Sequence, residues 1–175
     1  GDDFSEESVR LNFNGAEGGN DIRIVDSDYT WIDIDAGGNT LTLDDTDAID
    51  LNIYGGDNKI VINDADDVRL ELGDKAKSFH NDVTVTDADD VRINTSEGAN
   101  TFRLEDIDDV SITTAGWYNT FDIDDADDVS LTVRGQSRYQ DVNIDDAFDV
   151  SLNMSNLEDS RIWVEDADDV YIDGT

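Results

Sequence analysis

Lys59-Ile60-Val61-Ile62-Asn63-Asp64-Ala65-Asp66-Asp67-Val68-Arg69-Leu70-Glu71-Leu72 is the stretch that decides the fold. Apolar residues stand at alternate positions on both sides of an acidic turn: Ile60 and Ile62 before it, Val68, Leu70 and Leu72 after it, with small Ala65 between. That pattern predicts two short strands, each with one buried face, joined at a tight corner. The same phase returns in Phe121, Ile123, Ala126, Val129, Leu131, Val133 and in Val142, Ile144, Ala147, Val150, Leu152, Met154.

Aligned on Asp-Ala-Asp-Asp-Val, further copies start at Asp64, Asp87, Asp106, Asp125, Asp146 and Asp166, with weaker ones at Ser5, Asp26 and Asp45. Successive starts lie 19 to 23 residues apart. A unit this short cannot bury its apolar face alone, but units stacked at about 4.8 Å enclose one long core. The expectation is an all-β chain: a single parallel β-solenoid domain over residues 1–175, with about nine coils of 19–23 residues and two short strands per coil.

An asparagine stands six positions before the first Asp of six consecutive units, at Asn20, Asn39, Asn58, Asn81, Asn100 and Asn119, and Gln140 follows in the seventh. Equivalent amides in stacked coils can bond to one another along the stack, so these residues predict an amide ladder. Gly18-Gly19, Gly37-Gly38 and Gly55-Gly56 lie just before three of them and fit a bend with unusual dihedrals. Insertions at 73–80, with Lys75, Lys77 and His80, and at 134–140, with Arg138 and Tyr139, read as ordinary loops on one side of the stack.

Composition narrows the partners. The chain carries 45 acidic against 11 basic residues, a net charge of −34, with 37% hydrophobic content and neither Pro nor Cys. Such a charge commonly means disorder, yet here the apolar residues keep a strand period. Without cysteine there is no disulfide and no thiolate metal site. No apolar run approaches the roughly 18 residues of a membrane span, and the charge argues against nucleic acid phosphates and anionic lipid as ligands. Cations and basic proteins are the natural partners.

In register, the acids form columns. The first holds Asp26, Asp45, Asp64, Asp87, Asp106, Asp125, Asp146 and Asp166; the second Glu7, Asp28, Asp47, Asp66, Asp89, Asp108, Asp127 and Asp168; the third Asp67, Asp90, Asp109, Asp128, Asp149 and Asp169. Carboxylates one coil apart repel, which calls for shared protons or for cations lodged between coils. Calcium suits the second remedy, because it takes six to eight oxygens at about 2.3–2.6 Å, whereas magnesium demands a shorter octahedron. The plainer alternative is that Asp favours turns and an acidic surface serves a salt-rich habitat. Against it, Thr42, Thr84, Thr86, Thr132, Ser111, Ser130 and Ser151 occupy outward strand positions, so the acids concentrate at the corner.

At Gly18-Gly19-Asn20-Asp21-Ile22, Gly37-Gly38-Asn39-Thr40-Leu41 and Gly55-Gly56-Asp57-Asn58-Lys59-Ile60 the chain resembles the RTX calcium-binding β-roll, over one corner of three or four coils. The resemblance implies calcium between turns, calcium-assisted folding, and a secreted or cell-surface setting.

The functional expectation is a non-catalytic, calcium-binding repeat of a larger secreted or surface protein with a structural or adhesive role. A glycan or another protein is a candidate further partner, and end-to-end or lateral self-association is compatible with coils that lack evident polar caps. Two alternatives stand beside it. One is a polysaccharide-acting β-helix enzyme, with Trp31, Trp163, Tyr171, Trp117, Tyr118 and Tyr139 available to stack on sugars and Arg69 and Arg92 sharing a column. The other is an acidic rod that mimics nucleic acid toward a basic protein.

Overall fold

Alternation sets which residues face inward, and the strands follow from it. The computed structural model describes residues 8–13, 18–73, 80–96, 98–135, 137–155 and 157–174. Ser5, Glu7, Lys75 and Lys77 lie outside the described residues. Every regular element among the described residues is a strand: β1 (Ser8–Phe13), β2 (Asp21–Ile34), β3 (Thr40–Ile53), β4 (Lys59–Leu72), β5 (Asp82–Thr95), β6 (Thr101–Thr114), β7 (Thr120–Val133), β8 (Ser137–Arg138), β9 (Asp141–Met154), β10 (Leu157–Glu158), β11 (Arg161–Glu165) and β12 (Asp169–Gly174).

The strands stack in parallel in the order β1-β2-β3-β4-β5-β6-β7-β9-β11, with β12 also on β9, as a single-sheet β-solenoid. β1 supplies half a level, β2 to β7 and β9 are whole levels, and β11 with β12 form one level split at its corner. Short β8 and β10 pair on the opposite side. The two predicted strand halves run as one 14-residue strand through the corner. In β7 the buried positions are Phe121, Ile123, Ala126, Val129, Leu131 and Val133, so the inward step lengthens from two residues to three on each side of Ala126. Those longer steps leave two consecutive outward residues before and after the alanine, and this bends the strand without ending it.

The inward columns make one continuous core. Phe102 and Phe121, both fully buried, stack at 5.0 Å between ring centres and 5° between planes. At the other bend the amide ladder forms as the spacing predicts. Asn20 donates to Asn39 Oδ1, Asn39 to Asn58, Asn58 to Asn81, Asn81 to Asn100 and Asn100 to Asn119, each through its side-chain Nδ2 at 2.8–3.2 Å. The backbone N–H of each donor residue points at the same oxygen, at 2.9–3.3 Å. Gln140, one methylene longer, instead turns its Nε2 to the carbonyls of Gly116 and Arg138.

The glycines act in two ways, only one of them dihedral. Gly19 and Gly38 take φ of 86° and 72°, and in the third copy Asp57 takes that conformation at 58°. Gly37 and Gly55 are needed because neighbouring levels approach too closely for a side chain: a Cβ would lie 2.3 Å from the Gly56 carbonyl oxygen and 2.2 Å from that of Ala36, respectively.

A carboxylate corner as the candidate functional site

The corner begins with backbone conformation. Asp26, Asp45, Asp64, Asp87, Asp106, Asp125, Asp146 and Asp166 all adopt positive φ, between 49° and 60°. Asp tolerates this left-handed region better than most residues because its short polar side chain can satisfy nearby backbone groups. Between β4 and β5 pairing passes over the first and second columns: Asn63 pairs with Thr86, Ala65 with Ala88 and Asp67 with Asp90, leaving Asp64 and Asp66 outside the ladder and their side chains in solvent. The third column is held by the ladder itself, in the register Asp67, Asp90, Asp109, Asp128, Asp149, Asp169.

The first two columns are electrostatically coupled along the axis. Loss of hydration against the neighbouring chain, with the carboxylates of Asp87, Asp45, Asp44 and Asp66, raises Asp64 above its ordinary value of 3.8. Asp108 is raised by the same loss of hydration and by Asp89, Asp127, Asp109 and Asp106. Asp28, Asp47, Asp168 and the other described members of these two columns occupy the equivalent outward positions. The second column is interrupted by Phe148, 59% exposed, which stands where its neighbours have Asp127 and Asp168.

A fourth acidic column, not anticipated from the repeat, flanks the first. Glu105, Asp124, Asp145 and Glu165 lie in register on consecutive levels, and Asp44 occupies the same position earlier. Their signal in the sequence is the outward residue just before each first-column Asp.

The chain's own arginines pair outside the first column. Arg103 binds Asp82 at 2.6 Å, Arg161 makes a two-pronged contact with Asp141 at 2.9 Å, and Arg138 pairs with Glu158 on the opposite bend. Arg23 lies 3.6 Å from Asp44, and Arg69 pairs with Glu71. Arg92 alone among them reaches the third column, at 3.4 Å from Asp90 and 3.9 Å from Asp67. Asp45, Asp64, Asp87, Asp106 and Asp125 have no basic partner among the described residues. Arg69 and Arg92 do share a column, and both are engaged with acids of this chain.

As positioned, the carboxylates splay outward, and among the described residues no three acidic or histidine side chains converge on a point suited to an ion. The columns therefore fit a cation only after carboxylates of adjacent levels rotate toward each other.

The aromatic residues divide. Trp31 lies under the Arg10 guanidinium at 4.4 Å, while Tyr118 and Tyr139 stack at 4.7 Å and 6° on the opposite bend, both at positive φ and both exposed. Trp163 and Tyr171 lie on the last level and do not join that pair.

No match emerges from known protein families, characterised proteins or solved structures.

Proposed function

We propose that the chain is a non-catalytic structural module of a secreted or surface protein, a rod whose acidic corner is neutralised by calcium held between levels. The observation that supports this most is the distribution of charge: the arginines compensate acids of the flat faces and of the third and fourth columns, and the first column is left to ions from solution. An ion midway between levels lies about 2.4 Å from each along the axis, within calcium–oxygen range. Because rotation must precede coordination, affinity falls in the weak class of extracellular calcium modules, about 10⁻⁴ to 10⁻³ M. The repetition of the same outward groups on successive levels suits a spacer better than an enzyme, which needs one level set apart from the rest.

A second reading has its own support. The fourth column and the splayed carboxylates suit a diffuse counterion layer, as on proteins kept soluble in concentrated salt. Titration of EDTA-stripped protein, followed by far-ultraviolet circular dichroism and thermal midpoint, separates the two. Calcium at millimolar concentration raises the midpoint well beyond magnesium or sodium chloride of equal ionic strength if ions bind between levels. Equal responses to all three contradict specific calcium binding and favour the counterion layer.

A further inference from the structure

Beyond the corner, the third column forms one wall of a groove of about 670 Å³ that runs along the solenoid axis from Arg92 to Tyr171. Asp109, Asp128 and Asp149 stand on one side, Ser111, Ser130 and Ser151 on the other, and a line of valines lies between them. The groove spans five levels, so it is about 19 Å long at 4.8 Å per level, room for about five or six residues of extended chain.

The protein itself shows what such a groove holds. At its closed end the Arg92 guanidinium reaches both Asp90 and Asp67, bridging two carboxylates of successive levels. The register then replaces that arginine by Ser111, Ser130 and Ser151 in the next three levels, while the carboxylate column continues. Asp109, Asp128 and Asp149 thus face the position of a guanidinium that the chain does not supply, and none has a basic partner among the described residues. The serine hydroxyls leave the space open and offer hydrogen bonds along the opposite wall. At the far end the groove reaches Val170 and Tyr171 of the last level.

We propose that this groove binds an extended, arginine- or lysine-bearing segment of a partner protein, whose cationic heads take the bridging position that Arg92 takes within the chain. Charge complementarity speeds encounter, and the carboxylates lining the groove give selectivity over other acidic faces.

The test uses a fluorescein-labelled hexa-arginine peptide and fluorescence anisotropy at physiological salt. Ser130→Arg fills the groove with the residue that Arg69 and Arg92 already place in that column, so the fold accommodates it. Asn143→Arg adds the same charge on the other face, in the column that holds Arg103. The expected result is a Kd raised by about tenfold or more in the first and by about twofold in the second. A second pair, Asp128→Asn against Asp122→Asn, removes one charge from each face of the same level and follows the same order. Equal losses within each pair, or a hexa-arginine peptide that does not bind the native chain, overturn the proposal.

Discussion

Replacing Asn58 by alanine probes the amide ladder at its middle. The Asn58 side chain accepts from the Asn39 backbone N–H and the Asn39 Nδ2, both at 2.9 Å, and donates to the Gly55 carbonyl and to Asn81 Oδ1, both at 3.1 Å. Removing it orphans the buried Asn39 N–H and the Gly55 carbonyl, at about 1–3 kcal/mol for each unsatisfied group, and the other two groups keep partners. The expected loss is about 3–4 kcal/mol, which at a urea slope near 2 kcal/mol/M lowers the midpoint by about 1.5–2 M. Asn63→Ala is the matched control: its single bond to Asp44 is exposed, and its loss costs within about 0.5 kcal/mol. Amide hydrogen exchange at Asn39 is read alongside, since that N–H loses its acceptor. If Asn58→Ala unfolds at the same urea concentration as Asn63→Ala, or Asn39 stays protected, the ladder is not a source of stability.

Two further outcomes follow from the same geometry. Asp64 and Asp108 have folded pKa values above the unfolded 3.8, so the native state binds more protons in the window just above 3.8. The contribution of these two groups therefore stabilises as pH falls through that window and is lost as pH rises, and in Asp64→Asn/Asp108→Asn the urea midpoint gains less between pH 7 and pH 4 than in the native chain. Gly38→Ala, whose new Cβ meets only the Gly19 backbone nitrogen at an ordinary 3.8 Å, carries a dihedral cost of about 1–2 kcal/mol. Gly37→Ala carries no such dihedral cost but must displace the Gly56 carbonyl, 2.3 Å from the new atom, so its thermal midpoint falls further; the reverse order would contradict the close approach.

The inward residues were legible because a buried face imposes a strict period. Phe121, Ile123, Ala126, Val129 and Leu131 can be read off directly, including the lengthened steps around Ala126. The asparagine ladder was legible for a related reason: a constant offset from the corner places each amide over the next. Outward residues carry no such constraint. Nothing in the alternation says that Asp124 and Asp145 abut the corner while Asp122 lies on a flat face, so the fourth column appears only once the bend is placed. The groove beside Ser130 is made by outward residues of five levels, whose side chains the alternation does not constrain. Tyr118 and Tyr139 share an offset from the corner, just before Asn119 and Gln140, so their stack could have been read from the same alignment. The glycine pairs were read as dihedral devices, whereas Gly37 and Gly55 answer to backbone crowding between levels that are distant in sequence.

A crystal grown with calcium, compared with one grown in EDTA, shows whether ions bind between levels of the corner. Such binding gives density between successive levels in contact with first- and second-column carboxylates such as Asp45, Asp64 and Asp66, with those side chains rotated toward each ion. Carboxylates that stay splayed in both crystals, with no ordered ion along the corner, would contradict it.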